Sequence, residues 1–208
     1  MSASREAQRT ATRRAIIDAA IQVFARHGFD GASFRDITDL CGIRRSLILY
    51  HFQSKEELWT VAIQEVERRF SAVFEDAYSP ESHHEDEARI RHAMSAFMDT
   101  LGEVPEYGQI FLREGVASGP RMEWLASHFV PRRALRVPLS DKDLEYRTQK
   151  TVLRDILACT LVAFTALGPL LEKSLAVAIR EPSAGIYPLS PERKKEFLDY
   201  MMRLVARP

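Results

Sequence analysis

What most constrains this chain is a recurring piece of punctuation: a serine, an acid three residues later, then an apolar run at helical spacing. Ser33-x-x-Asp36, Ser54-x-x-Glu57, Ser82-x-x-Glu85 and Ser140-x-x-Asp143 all carry it. This is the sequence form of a capping box, in which the hydroxyl and the carboxylate each satisfy a backbone N–H that the first helical turn leaves open. Ser190-Pro191 marks another start, with proline where its missing N–H is no loss, and Ser118-Gly119-Pro120 reads as a stop followed by a new start. Sustained apolar/polar alternation between turn pairs is absent. The chain is therefore expected to be all-α.

A chain of 208 residues can bury roughly 70% of its unfolded surface without covalent staples. Its two cysteines, Cys41 and Cys159, fall in apolar helical runs and read as small buried residues of a reducing compartment, not as a disulfide framework. Basic and acidic residues number 29 each, giving zero formal charge. That argues against a wholesale polyanion binder and leaves room for a local basic patch. The opening MSASREAQRTATRR is polar and basic, without the apolar stretch of a secretory signal. The uncharged run at 156–171, ILACTLVAFTALGPLL, is shorter than the about 20 apolar residues a membrane span needs and contains Gly168-Pro169. A buried helix or an oligomer seam is expected there, in a cytoplasmic protein with no membrane partner.

Helical periodicity runs from Thr10 to His27, where Gly28 is placed to end it in the left-handed conformation. A short helix follows from Phe34 to Cys41, with Phe34, Ile37 and Leu40 expected inward. Gly42 makes the turn, and a second short helix from Arg44 to His51 has Ile43, Leu47 and Ile48 expected inward. Its outer surface offers Arg44, Arg45, Ser46, Leu49, Tyr50 and His51. Two short amphipathic helices around a glycine turn make a helix-turn-helix. Such a second helix fits the major groove of DNA, and arginine at its start is suited to a bidentate bond with guanine. The pattern by itself leaves open a helical pair that never meets DNA.

Thr12 to Phe70 resembles the N-terminal domain of TetR (tetracycline-repressor-like) family regulators. AAIQVFARHGF, SFRDI, CGI and YHFQSKEEL stand in the family's order and spacing. The resemblance implies a helix-turn-helix DNA-binding domain, here 1–53, followed by a larger helical ligand-binding and dimerisation domain, here 54–208. It also implies the contacts. Ser33 would cap the first helix of the motif and touch a phosphate, with Arg35 in its first turn. Arg44, Arg45, Ser46 and Leu47 would occupy the reading positions. Tyr50 and His51 would meet the backbone at the helix end, and Lys55 would face phosphate. Three positions depart from the family's usual residues: Arg44 where Ser or Thr opens the recognition helix, Leu47 where Thr is common, and Leu49 where a Tyr contacts phosphate. The basic N-terminal arm (Arg5, Arg9, Arg13 and Arg14) is either a further minor-groove or phosphate contact or a solvated tail.

Downstream, large aromatics and methionines at helical spacing suit an apolar small-molecule pocket. Its expected lining is Phe97, Met98, Leu101, Tyr107, Phe111, Trp124, Leu157 and Phe164, with Arg113, Glu114 and His128 as polar handles. A helix from about 140 to 167 and the last helix, about 191 to 206, carry the stripes that a two-fold homodimer would bury. The expectation is a homodimeric repressor that reads palindromic double-stranded DNA and is released by a small, largely apolar effector, with no catalytic residues, metal or cofactor. Two rivals are weighed against it. A metal enzyme would use Glu81-x-x-His84, but the chain has no second Glu-x-x-His pair to complete a di-metal site. A helical adaptor would bind protein and would lack the salt dependence of duplex binding.

Overall fold

The computed structural model describes residues 2–78, 86–116, 118–128, 156, 158–168, 170, 173–174 and 190–205. The expectations at Glu81, Ser82, His84, Ser140, Leu157 and the side chain of His128 lie outside the described residues. The described residues are helical almost throughout, with no strand among them. The elements are α1 (Ser2–Gly31), α2 (Phe34–Cys41), α3 (Arg45–His51), α4 (Lys55–Ala77), α5 (Asp86–Glu103), α6 (Pro105–Glu114) and α7 (Pro120–His128). Residues 158–166 form α8, and α9 spans Pro191–Val205. Contacts group residues 1–69 with 109–130, and residues 70–108 with 131–208, so α4 and α6 each contribute to both groups.

In the first group, α1 buries Ile16, Ala20, Val23 and Phe24 at the spacing the sequence predicts. It starts at Ser2, eight residues before the expected Thr10. Apolar periodicity begins only near Thr10, but Ala, Arg, Gln and Glu sustain a helix by propensity alone, and nothing before Gly28 breaks it. Gly28 adopts φ 67°, ψ 177°, and one further turn ends at Gly31. The capping box at α2 is complete. Asp36 N–H donates to Ser33 Oγ (3.2 Å), and Ser33 N–H donates to Asp36 Oδ2 (2.9 Å). Gly42 closes α2 in the left-handed conformation (φ 70°, ψ 8°), its N–H donating to the Thr38 carbonyl. Ser54 caps α4 through Glu57 N–H (3.0 Å), while Glu57 reaches back one residue further than expected, to Gln53 N–H (2.7 Å).

α2 and α3 pack against α1 and each other around Ile37, Ile48 and Phe52, all nearly inaccessible. Two inward expectations are corrected. Leu40 is 44% exposed and Leu47 42% exposed. α2 has only eight residues, and its buried contact is made by Ile37 alone. Leu47 lies about 100° from Ile48 around α3, so burying one leaves the other at the rim. Both cysteines are also corrected: Cys41 is half-buried and Cys159 exposed.

In the second group, Phe70 of α4 stacks on Tyr107 of α6 (centroids 3.9 Å apart) and meets Phe97 of α5 edge-on (5.3 Å). Gly108 brings α6 close to α8: a Cβ there would stand 3.7 Å from Val162 Cγ1. α9 lies on α5, where Arg91 pairs with Asp199 and Lys194 with Asp99. Phe164 stacks on Phe197 at 4.1 Å. No helix among the described residues is long and apolar enough to cross a membrane.

Candidate nucleic-acid interface

Burying Ile48 orients the whole of α3. Ser46 and Tyr50, two residues to either side, point away from the core, with Leu47 and Leu49 flanking them. All four are exposed, Tyr50 by 70%. Arg44 stands as the N-cap with extended backbone and makes no side-chain cap bond, as expected of an arginine there. Arg45 is less free than its neighbour. Its guanidinium lies 5.5 Å from the Phe34 ring centroid, a cation–π contact that leans it over α2. Arg35 is exposed and only loosely engaged by Asp39 at 3.8 Å. Ser33 has spent its hydroxyl on the cap, bonding Asp36 Oδ2 at 2.6 Å, and these bonds hold the Asp36 pKa below the usual carboxylate value.

At the far end of α3, His51 is half-buried and its ring meets Tyr50 edge-on at 5.2 Å. Desolvation, then the positive charges of Arg9 and Arg13, lower its pKa. The first half of α1 thus extends the electropositive edge that begins on α3. The structure makes this segment helical and solvent-exposed and sets Arg13 over the Phe52 ring at 5.1 Å.

Lys55 already has partners within the fold. Its ammonium turns inward, donates to the Ala32 carbonyl (2.7 Å) and lies 4.4 Å from the Phe29 ring centroid.

The sequence reading missed what holds that corner. Glu114, at the end of α6, is 5% exposed and accepts the buried Phe29 N–H at 2.7 Å. Arg121 of α7 approaches Glu114 (3.7 Å), pairs with Asp30 (2.9 Å) and covers the Phe29 ring (4.1 Å). Arg113 donates to the Ala25 carbonyl (2.9 Å), and Trp124 meets Trp59 of α4 at 5.4 Å. The residues expected to line the pocket fall in both groups. Phe97, Met98, Leu101 and Tyr107 are buried together in the second group, which also contains Phe164. Arg113, Glu114 and Trp124 are instead committed to α1 and α4 in the first group, where Phe111 also belongs. A partner 85 residues away leaves no local signal, which is why these polar groups looked like ligand handles.

A capped short helix, a left-handed glycine turn and a second helix whose polar and aromatic face points outward define the class of helix-turn-helix proteins. Comparison with known proteins narrows this class. Residues 16–60 match the family of bacterial regulatory proteins, tetR family. The chain is similar to the HTH-type transcriptional regulator RutR of Escherichia coli (strain K12), 25% identical over 114 residues, 53% of this chain and 51% of the relative. The chain thus spans about half the length of that relative. Its fold is that of a TetR-like transcriptional regulator from Rhodococcus sp. RHA1 (TM-score 0.61, 17% identity, 93% of this chain and 96% of that one). It is also similar in fold to the transcriptional regulator FadR from Bacillus subtilis in complex with stearoyl-CoA (TM-score 0.56, 12% identity, 92% and 96%). These relatives are described as transcriptional regulators and not as enzymes.

Proposed function

We propose that this protein is a homodimeric, ligand-responsive repressor that binds a palindromic operator and is released from it by a small, largely apolar effector. The observation that carries the reading is the outward face of α3, where Ser46, Leu47 and Tyr50 stand exposed beside Arg44 on a helix anchored by Ile48. A helix so presented enters the major groove, with Arg44 and Arg45 at its start suited to guanine and Leu47 to a thymine methyl. Arg35, Tyr50 and His51 border it as backbone contacts, and Ser33 and Lys55 would join them only by leaving the Asp36 carboxylate and the Ala32 carbonyl. Repression is the outcome the family resemblance favours, and such a reader works in the cytoplasm.

Reading belongs to 1–53, and effector binding and dimerisation to 54–208. The apolar effector is supported by the aromatic and methionine cluster around Phe97, Met98 and Tyr107. The acyl ligand of FadR from Bacillus subtilis is a property of that protein and suggests the kind of molecule to try first. For the dimer, Ile156, Cys159, Leu167 and Leu170 around α8 and Tyr200 of α9 are exposed, a surface a two-fold partner would cover. Effector binding would favour one placement of the two reading heads through α4, and the Glu114–Phe29 bond gives α6 a second hold on each head.

Selection of bound duplexes from a random pool tests the reading. The expected result is a palindromic consensus. Replacing Arg44 or Arg45 by alanine should cost about 1–3 kcal/mol at particular base pairs. Recovery of no consensus, with binding insensitive to salt, would favour the adaptor instead.

A further inference from the structure

Between the first turns of α1 and the middle of α4 lies a cleft of about 470 Å³ lined by five arginines: Arg9, Arg13 and Arg14 from α1, Arg68 and Arg69 from α4. The α4 pair is balanced from within. Glu65 accepts Nε and Nη2 of Arg68 at 2.7 Å each and Nε of Arg69 at 2.9 Å, while Asp18 takes the other end of Arg69. Hydrogen bonding from Arg68, opposed by partial burial and reinforced by Arg69, holds the Glu65 pKa at about 2, so this carboxylate is already spent. The α1 arginines have no such partner. Among the described residues, none of Arg9, Arg13 and Arg14 forms an ion pair, and Arg13 rests instead on the Phe52 ring. Glu6 is the one other carboxylate lining the cleft.

We propose that this cleft is a phosphate-binding site distinct from the recognition helix. Guanidinium forks match the paired oxygens of a phosphate group, and fixed ones lose little freedom on binding it. The Glu65 and Asp18 bonds already occupy the Nε–Nη2 edges of Arg68 and Arg69 and fix that wall of the cleft, so the α1 arginines supply both the open forks and the uncompensated charge. The only aliphatic side chain in the lining is Ile17, so an apolar effector has little to gain here and a compact polyanion has much. Two sources carry that chemistry: a backbone phosphate of DNA flanking the half-site, or a free phosphorylated small molecule. The first rests on the DNA reading above; the second does not.

The experiment has one arm for each source. In the first, inorganic pyrophosphate is titrated calorimetrically into the full-length protein and into a variant carrying Arg9→Ala with Arg14→Ala. These two exposed residues lie outside the core, and Arg26→Ala, an exposed α1 arginine away from the cleft, is the control. The expected result is binding by wild type and control, weakened at least tenfold in the double variant. In the second, affinity for the selected operator is followed against salt on a core-length duplex and on one extended at both ends. A backbone contact predicts that the double variant lowers the slope of log K against log salt by about 0.9 per lost phosphate on the extended duplex only. Loss in the first arm alone assigns the cleft to a free phosphorylated ligand, and loss in the second assigns it to the backbone. Unchanged behaviour in both arms overturns the proposal. Should wild type bind no duplex at all, the DNA reading fails separately, and the pyrophosphate arm still decides the cleft.

Discussion

Replacing Glu114 by alanine should destabilise the protein more than the loss of a ligand-orienting group would. The carboxylate accepts a buried backbone N–H at 2.7 Å and is approached by Arg121, itself leaning on the Phe29 ring. A hydrogen bond to a charged group contributes about 1.5–3 kcal/mol, and a buried donor left without a partner costs about 1–3 kcal/mol, two partly overlapping terms. A net loss of about 3 kcal/mol follows, and for a chain of this length each kcal/mol moves the midpoint by about 2–4 °C. Thermal unfolding followed by circular dichroism should therefore drop by about 6–12 °C. Glu114→Gln keeps an oxygen acceptor and removes only the charge, so it should retain most of that stability. Hydrogen exchange at the Phe29 amide should accelerate in Glu114→Ala well before the amides of Ile16 to Val23 respond. Melting of Glu114→Ala within 2 °C of wild type, or equal losses in the two variants, would refute the assignment of this bond as a structural tie.

Three further outcomes follow from particular residues. Gly42→Ala forces a Cβ into the left-handed region at φ 70° with open space around it, so it should cost about 1–2 kcal/mol of backbone strain and no clash, measured by denaturant unfolding. The Glu65 carboxyl is depressed from 4.5 to about 2, so its contribution is fully present above pH 4.5 and is lost as pH falls toward 2; wild type should lose midpoint more steeply than Glu65→Gln across that window, and parallel curves would contradict the Arg68 and Arg69 bonds. If Leu47 meets a thymine methyl, exchanging deoxyuridine for thymidine at one consensus position should weaken wild type but not Leu47→Ala, whereas equal weakening of both would remove Leu47 from the reading face.

What could be read from sequence was whatever the chain settles locally. Ser33 with Asp36, Gly28 and Gly42 declare helix ends because cap bonds and positive φ involve neighbours within a few residues. The spacing of Ile16, Ala20, Val23 and Phe24 declares a buried face for the same reason. The true start of α1 was also available, through propensity and not periodicity. Leu40, Lys55 and Glu114 were not legible. Their environments are set by how α2 ends, by which carbonyl lies nearest an ammonium, and by a partner 85 residues distant. An outward recognition face could be inferred around Ile48, yet only the packed structure separates Arg44, which makes no side-chain cap bond, from Arg45, which rests on Phe34.

The tie between Glu114 and the corner after α1 bears on modularity. Glu114 holds the Phe29 N–H and Arg121 covers the Phe29 ring, at a surface the reading head would otherwise show to water. A transplant of the first 53 residues onto a foreign scaffold would bare that greasy seam and strand an amide. Chimeric sensors built from this protein should therefore carry the α6–α7 elbow along with the head, as one inherited piece.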